Sequence, residues 1–335
     1  MSCFHPLKGY IVGVNPVTGK DKIWIRPYDE EHDLPSVDIP CGRCIGCRLE
    51  YSRQWANRLL CELQYHDSAY FVTLTYDNDY LPREPVYDRF TGEYLYDSYT
   101  LRKKHLQTFM KHLRRHFESD KIRFFACGEY GSQTVRPHYH LILFGLHLDD
   151  LVLYKRSPLG DDLYNSPSLQ ACWSNYIGKD SCGRERYDPL GHVVIGKVTW
   201  ESCAYVARYV TKKMSGELGE WFVSQNMELP FCNMSRKPGL GRAYYDSHPD
   251  MMHFEFINIP TENGAKKFRP PKYFEKLYEI DEPELASERS EKRKCFAEHT
   301  KELILKNTDL SYLDYLAVKE ENLKGRLKAL DRSKA

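Results

Sequence analysis

The chain has 335 residues, a formal net charge of +1 and a hydrophobic content of 41%, enough for a substantial core. Its balanced charge gives no whole-chain sign of a nucleic-acid binder, and no apolar run approaches the 18 or so residues of a membrane-spanning helix. The first ten residues lack the apolar stretch of a secretion signal, and the eleven cysteines are an odd number. We therefore expect an intracellular protein without disulfides.

Three segments follow one another along the chain. Residues 1–66 contain a cluster of cysteines and then a predicted helix, Arg48 to Tyr65, whose apolar residues recur at helical spacing. Residues 67–260 alternate predicted strands and helices, and residues 261–335 form a charged tail with a helical pattern. We predict a cysteine-rich module, a central domain and a helical tail with these bounds.

The central segment has the pattern of an α+β domain. Residues 146–190, rich in Asp, Gly, Pro and Tyr, are expected to be an insertion with little regular structure. The segment from 130 to 137 contains a glycine and ends in a proline, which is typical of a hairpin loop between antiparallel strands. The order of elements predicts helices packed on an antiparallel sheet. Strands are predicted at Tyr70 to Tyr76, Ile122 to Glu129, His138 to Phe144 and Val193 to Thr199, and helices at Thr100 to Phe117 and Glu201 to Met214.

Two histidines in this domain are spaced as metal ligands. His138 and His140 are two residues apart on a predicted strand, so both imidazoles point to one face of the sheet. The hairpin would place Glu129 beside them, with Gln133 of the loop as an alternative third ligand. Two imidazoles and a carboxylate leave coordination positions open for a substrate oxygen. We predict a catalytic Mg²⁺ or Mn²⁺ site at Glu129, His138 and His140.

Two tyrosines follow on a predicted helix. Tyr205 and Tyr209 are four residues apart, which places both phenols on one face, about 6 Å apart along the axis. A phenol can hold a phosphodiester in a reversible covalent bond, and a second one permits cleavage and rejoining in one site. Lys212 and Lys213 lie close enough on the helix to stabilise phenolate or phosphate charge. The spacing does not tell which tyrosine cleaves first.

Together these residues resemble the rolling-circle replication initiators of the HUH endonuclease superfamily, in particular those of gokushovirus-type Microviridae, which are small single-stranded-DNA phages. The resemblance covers roughly residues 1–250. It rests on Phe71 to Tyr76, Arg136 to Phe144, Tyr205 to Lys213, Pro40 to Cys47 and Met234 to Gly241.

The resemblance implies an HUH endonuclease fold, which is a five-stranded antiparallel sheet flanked by helices with the two histidines on a central strand. It also implies site-specific nicking of single-stranded or replicative-form phage DNA. The 5′ phosphate would become linked to Tyr205 or Tyr209, and the 3′-OH would prime synthesis by the host polymerase. A host helicase is the expected partner, and the cytoplasm of the bacterial host is the expected location.

The cysteine-rich module has three thiols at the spacing of a metal finger, in the segment 41–47. A closed tetrahedral zinc site needs a fourth ligand, for which Cys3 is favoured over His5 and Cys61. Free thiols in a turn are the simpler interpretation, and the spacing does not match a ferredoxin-type iron–sulfur motif. The predicted ligands of a structural Zn²⁺ are Cys3, Cys41, Cys44 and Cys47.

Two basic segments are candidates for contact with DNA phosphates. The segment from Leu101 to His116 carries six Lys or Arg and no carboxylate, and residues 235–242 combine cations with glycines that permit close backbone approach. A solvated helix face is an equally good interpretation of the first. The candidate residues are Lys103, Lys104, Lys111, Arg114, Arg115, Arg236, Lys237 and Arg242.

Other functions remain open from the residues alone. A relaxase or transposase with HUH chemistry would use the same groups. A zinc-dependent nucleic-acid-binding protein without enzymatic activity would bind DNA and form no covalent adduct. A two-histidine phosphoesterase needs a second His-x-Thr/Ser copy, which neither His147-Leu-Asp nor His192-Val-Val supplies.

Overall fold

The structure, a computed structural model, describes residues 3–16, 19, 21–28, 30, 32–131, 133–157, 160–210, 217–261 and 264–332. The chain divides into two compact units. Unit 1 combines residues 1–51 with residues 272–335, and unit 2 comprises residues 52–271.

The elements of the described residues are mixed in type along the whole chain. Short 3₁₀ turns are present at Asn78–Tyr80 and Pro249–His253. The strands are β1 (Leu7–Val14), β2 (Asp21–Arg26), β3 (Ser36–Ile39), β4 (Ala69–Leu74), β5 (Arg83–Tyr87), β6 (Tyr94–Tyr99), β7 (Arg123–Tyr130), β8 (Pro137–Phe144), β9 (Val152–Arg156), β10 (Asp162–Asn165), β11 (Ser174–Lys179), β12 (Glu185–Pro189), β13 (Val193–Lys197), β14 (Phe231–Met234), β15 (Ile257–Thr261) and β16 (Gly264–Phe268). The helices are α1 (Ile45–Leu63), α2 (Lys103–His116), α3 (Pro167–Cys172), α4 (Trp200–Val210), α5 (Glu217–Ser224), α6 (Arg242–Ser247), α7 (Lys272–Asp281), α8 (Pro283–Lys306) and α9 (Tyr312–Arg332).

The main sheet of unit 2 is antiparallel, which confirms the predicted α+β class. Among the described residues it has seven strands in the order β14-β7-β8-β4-β13-β10-β9. The implied count of five fits only the part from β14 to β13. The hairpin β9–β10 extends the sheet because Tyr164 pairs with Ile195 of β13.

The two faces of this sheet pack on different helices, since alternate residues of each strand point to opposite sides. On one face, the odd-numbered residues of β8 from Tyr139 onward pack on α2, together with Val72 and Leu74 of β4. On the other face, Ile142 and Phe144 of β8 pack on α1 and α4. The apolar residues that α2 contributes are Leu106, Phe109, Met110 and Leu113, and those of α1 and α4 are Ala56, Leu59, Cys203 and Val206.

The segment 146–190 corrects the expectation of an insertion with little regular structure, since it contains β9, β10, α3, β11 and β12. Trp173 is almost fully buried, contacts the rings of Tyr76 and Phe109, and donates a hydrogen bond to the Thr75 carbonyl. Strand β9 is exposed along its whole length. Such a strand has no alternation of apolar and polar residues, so its sequence carries no strand signal.

Unit 1 contains a second, smaller antiparallel sheet in the order β2-β1-β3, together with α7, α8 and α9. Its apolar core is small. Tyr10 of β1 is buried, whereas β2 is exposed along nearly its whole length. In the described part of the helices, Phe274, Tyr278 and Leu316 are buried.

A buried carboxylate ties α1 to the sheet in unit 2. Glu62 is 2% exposed and accepts hydrogen bonds from Arg123 of β7, from His66 Nε2 at 3.0 Å and from the Gly241 N–H at 2.5 Å. Burial alone would raise the pKa of Glu62, but these donors hold it below its usual value.

We predict that Glu62→Gln lowers the free energy of unfolding by about 3 kcal/mol at neutral pH, because it leaves the buried Arg123 guanidinium without its counter-charge. Urea unfolding followed by tryptophan fluorescence measures this. The exposed Glu118→Gln is the control and should have almost no effect.

The pH dependence has a definite sign. A lowered pKa in the folded state stabilises fully above the usual glutamate pKa, and this contribution is lost as the pH falls through the folded value. The difference in stability between wild type and Glu62→Gln should therefore narrow in acid. A difference that stays constant from neutral pH to about pH 3 would contradict this account.

Candidate metal centre and nucleophile

The hairpin β7–β8 brings three predicted ligands together on the sheet face that packs on α1 and α4. Glu129 is directly opposite His138 in the register, and His140 lies between Cys127 of β7 and Thr73 of β4. Glu129, His138 and His140 form one group whose ligand atoms lie within 4.8 Å of one another, and we call it the triad. Gln133, the alternative ligand, is exposed in the turn.

The hydrogen bonds of the triad show what it can bind. His138 Nδ1 lies 3.2 Å from the carbonyl oxygen of Arg136, which can only accept, so Nδ1 carries the proton. Nε2 of the neutral ring then presents its lone pair to Glu129 Oε1 at 2.9 Å. His140 Nε2 lies 3.0 Å from the same oxygen. Acceptors that face one another at this distance require a shared proton or a cation between them, so the donor set fits a metal ion.

The protonation states of the triad suit metal binding. Burial alone would raise the pKa of Glu129, but hydrogen bonds with His138 and His140 hold it below its usual value, so the carboxylate is ionised. Burial lowers the pKa of His140, which the Glu129 carboxylate only partly offsets. An ionised carboxylate and a neutral imidazole are the forms that ligate a divalent ion.

Two residues that support the triad were missed by the ligand prediction. Thr73 Oγ1 lies 3.0 Å from His140 Nδ1, where it can accept the ring proton and leave Nε2 to face the triad. Phe71 stacks on the His140 ring with centroids 5.5 Å apart. Both lie in the segment 71–76 that supports the family resemblance, and their alternation toward one face was the available signal.

Tyr205 stands beside the triad. Its ring centroid is 5.2 Å from that of His140 and 6.2 Å from that of Phe71, and the side chain is 36% exposed. The Arg208 guanidinium, not anticipated from the sequence, lies 5.8 Å from the Tyr205 ring centroid.

The other nucleophile candidates are described less fully. Tyr209 follows one turn later on α4, as the spacing predicts, but its side chain is outside the description. Lys212 and Lys213 lie outside the described residues altogether.

A second candidate metal group lies in unit 1. The sulfur atoms of its four members are within 4.8 Å of one another, and the Sγ atoms of Cys3 and Cys44 are 3.9 Å apart. Of the alternative ligands, His5 pairs with Glu320 at 2.9 Å, and Cys61 is fully buried in unit 2. This cysteine group consists of Cys3, Cys41, Cys44 and Cys47.

Main-chain donors surround the cysteine group. The N–H groups of Phe4 and Cys47 point to Cys44 Sγ at 3.3 and 3.4 Å. Burial would raise the pKa of Cys44, but these donors lower it to about 7. The group therefore favours thiolate, the form that binds metals.

The basic residues of α2 are not brought to the triad. All five candidates on α2 are exposed, and this helix packs on the sheet face opposite to the triad. Those residues are Lys103, Lys104, Lys111, Arg114 and Arg115.

The loop 235–242 is also separate from the triad. Met234 of β14 pairs with Phe125 of β7, which lies four residues before Glu129, or about 13 Å along the strand at roughly 3.3 Å per residue. Arg236 and Lys237 are exposed, and Arg242 pairs with Asp246 at 2.7 Å.

Comparisons with known proteins agree with the motif analysis. A family model for replication-associated proteins of the ORF2 type matches residues 69–214, the range that contains both the triad and the tyrosine pair. The chain is 29% identical to "Replication-associated protein ORF2" of Spiroplasma virus 4, over 99% of this chain and 98% of that protein. It is 28% identical to "Replication-associated protein VP4" of Bdellovibrio phage phiMH2K, over 85% of this chain and 79% of that protein.

A third relative, "Replication-associated protein ORF4" of Chlamydia phage 1, is 30% identical over 53% of this chain and 39% of that protein. These matches confirm the resemblance to rolling-circle replication initiators of Microviridae-type phages. No solved structure matches significantly. In the part of the chain that the structure describes, no helix is both long and apolar enough to cross a membrane.

We predict that Thr73→Val weakens Mn²⁺ binding at the triad about 10-fold to 100-fold, because the His140 ring loses the acceptor that fixes its orientation. Titration calorimetry with Mn²⁺ measures the change. Thr75→Val is the matched control, since it removes a hydroxyl that bonds to the carbonyl oxygen of His192 and not to an imidazole. Equal losses in the two variants would contradict the role of Thr73.

Proposed function

We propose that this protein nicks and rejoins DNA through a 5′-phosphotyrosine, and so initiates and terminates rolling-circle replication of a small single-stranded-DNA phage genome. The observation that carries the proposal is the position of Tyr205, whose ring lies 5.2 Å from the His140 ring of the triad. A cation site beside a partly exposed phenol suits phosphoryl transfer to tyrosine.

In this proposal the residues of the triad have distinct tasks. Glu129, His138 and His140 hold Mg²⁺ or Mn²⁺, which when bound polarises the scissile phosphate. Thr73 and the Arg136 carbonyl fix the two rings so that both Nε2 atoms face Glu129. The Phe71 ring covers one side of His140 and limits access of water to it.

Tyr205 or Tyr209 is the nucleophile. The phenol oxygen attacks the phosphorus atom and loses its proton, and the bond from phosphorus to the 3′ oxygen breaks. That oxygen takes up a proton and leaves as a 3′-OH, so the 5′ end remains bound to the tyrosine. The second tyrosine can repeat the attack on a new strand while the first end is held. We assign Lys212 and Lys213 to stabilising the charge on the phenolate or phosphate.

The partners follow from this reaction. The substrates are single-stranded and replicative-form phage DNA in the cytoplasm of the bacterial host. The released 3′-OH is a primer for the host polymerase, and a host helicase separates the strands. The exposed cations of α2 and of the loop 235–242 are candidates for phosphate contacts away from the triad.

The cysteine group has a different role in this proposal. It belongs to unit 1, whereas the triad and Tyr205 belong to unit 2. Four thiolates close a tetrahedral site and leave no position for a substrate. We therefore assign to it a structural Zn²⁺.

Replacing both His138 and His140 by Ala should abolish nicking of a circular single-stranded DNA that carries the cognate origin, because two of three metal ligands are lost. DNA binding should remain largely intact. A denaturing gel with added Mn²⁺ measures nicking, and a mobility shift measures binding. His147→Ala is the control, since this exposed histidine pairs with Asp120 and should nick as wild type. Full nicking by the double variant would refute the metal centre.

Tyr205→Phe and Tyr209→Phe should have different effects, one losing initial cleavage and the other losing mainly strand transfer. Each variant removes a phenol oxygen and keeps the ring, so packing on α4 is preserved. Peptide mass spectrometry of the DNA-linked product identifies the tyrosine used. The exposed Tyr154→Phe on β9 is the control. Wild-type activity in both single variants and in the double variant would end the assignment, and binding without any adduct would favour the non-enzymatic DNA-binding protein.

A further inference from the structure

The cysteine group has the geometry of one metal ion held by four sulfurs. A tetrahedral ion with bonds of about 2.3 Å to sulfur places the sulfurs about 3.8 Å apart. The Sγ atoms of Cys3 and Cys44 are 3.9 Å apart, and all four sulfurs are mutually within 4.8 Å. A disulfide would need about 2.05 Å. All four cysteines are free thiols.

The local backbone is shaped for thiolate ligands. Gly42 has a φ of +73°, a conformation that side chains rarely adopt, and it lets the chain turn between Cys41 and Cys44. The N–H of Cys41 points to Cys3 Sγ at 3.2 Å, and the N–H of Cys44 points to Cys41 Sγ at 3.3 Å. With the two donors at Cys44, main-chain groups offset the negative charge that four thiolates leave on a divalent ion.

The cysteine group also sits where the two ends of the chain meet within unit 1. Two residues after Cys3, His5 pairs with the buried Glu320 of α9 at 2.9 Å. Three residues before Cys41, Asp38 pairs with Lys301 of α8 at 2.9 Å.

A second contact joins the same elements. Lys301 Nζ donates to the Tyr28 hydroxyl at 2.7 Å and lies 4.6 Å from the centroid of the Tyr312 ring. The rings of Tyr28 and Tyr312 are 6.3 Å apart. The helical tail therefore packs on segments that run directly into the cysteine group.

Unit 1 has little else to hold it. The exposed β2 strand contributes almost nothing to a core, and a small domain of this kind needs a metal or cross-link to fold stably. Binding of an ion that requires all four cysteines in place contributes directly to folding.

We propose that one Zn²⁺ at Cys3, Cys41, Cys44 and Cys47 folds unit 1 as a whole, so that the C-terminal helices α8 and α9 depend on a metal bound by residues near the N-terminus. This inference concerns the fold of unit 1 and is independent of nicking by unit 2.

Metal content provides the first test. The full chain with His138→Ala and His140→Ala, which excludes zinc at the triad, is purified without chelators and measured by mass spectrometry of the elements. About one zinc per chain is expected. Cys44→Ser in that background should hold almost none, and the exposed Cys182→Ser should hold as much as its parent. Zinc retained in Cys44→Ser, or iron at about one per chain in place of zinc, would overturn the assignment of the ion.

Hydrogen–deuterium exchange of the wild-type chain provides the second test and needs no cysteine variant. Removal of zinc by a strong chelator should raise exchange in β1, β3, α8 and α9 together, and re-addition of Zn²⁺ should reverse it. The β7 and β8 strands of unit 2 are the internal control and should not change. Unchanged protection of α8 and α9 in the metal-free chain would overturn the coupling.

Discussion

The pairing register of β7 and β8 is the constraint on which the candidate site depends. Glu129 faces His138 only because the turn between the strands has a fixed length, closed by bonds from Gly131 N to the Arg136 carbonyl and from Val135 N to the Gly131 carbonyl, both at 3.0 Å. Strand side chains alternate with a period of two, so a slip of one residue would turn both imidazoles into the apolar core under α2. The buried faces on both sides make such a slip costly, and this keeps the three ligands together.

The two faces of the sheet divide the work of unit 2. The face under α2 is apolar and includes the large buried side chains of Tyr139, Trp173 and Phe109. The face under α1 and α4 combines an apolar part around Phe125 with the triad at the open end of the same strands. Rigid strands packed on both sides thus hold the ligands, while Tyr205 comes from a separate helix. A site placed at the end of a well-packed sheet has fixed ligands and an accessible reaction position.

Much of this arrangement was predictable because it follows from local periodicity. The strands around His138 and the amphipathic α2 have clear patterns, and a hairpin loop fixes which residues face one another. Prediction failed where tertiary contacts decide. The strands of residues 146–190 have no alternation, and the pairing of Tyr164 with Ile195 that extends the sheet is not local. Charge was also uninformative about position, since the exposed cations of α2 form a stripe in the sequence but lie on the face opposite to the triad.

Unit 2 buries two carboxylates in the same manner but completes their charge differently. Glu62 receives a full positive charge from Arg123 and two further donors, so the protein alone satisfies it. Glu129 is 3% exposed and faces two imidazoles, of which the buried His140 has a lowered pKa. A buried carboxylate beside neutral rings lacks a counter-charge, and burial makes that lack expensive. The first arrangement is complete as folded and stabilises the structure. The second becomes electrically balanced only with a cation, and this distinguishes a binding site from a structural ion pair within one sheet.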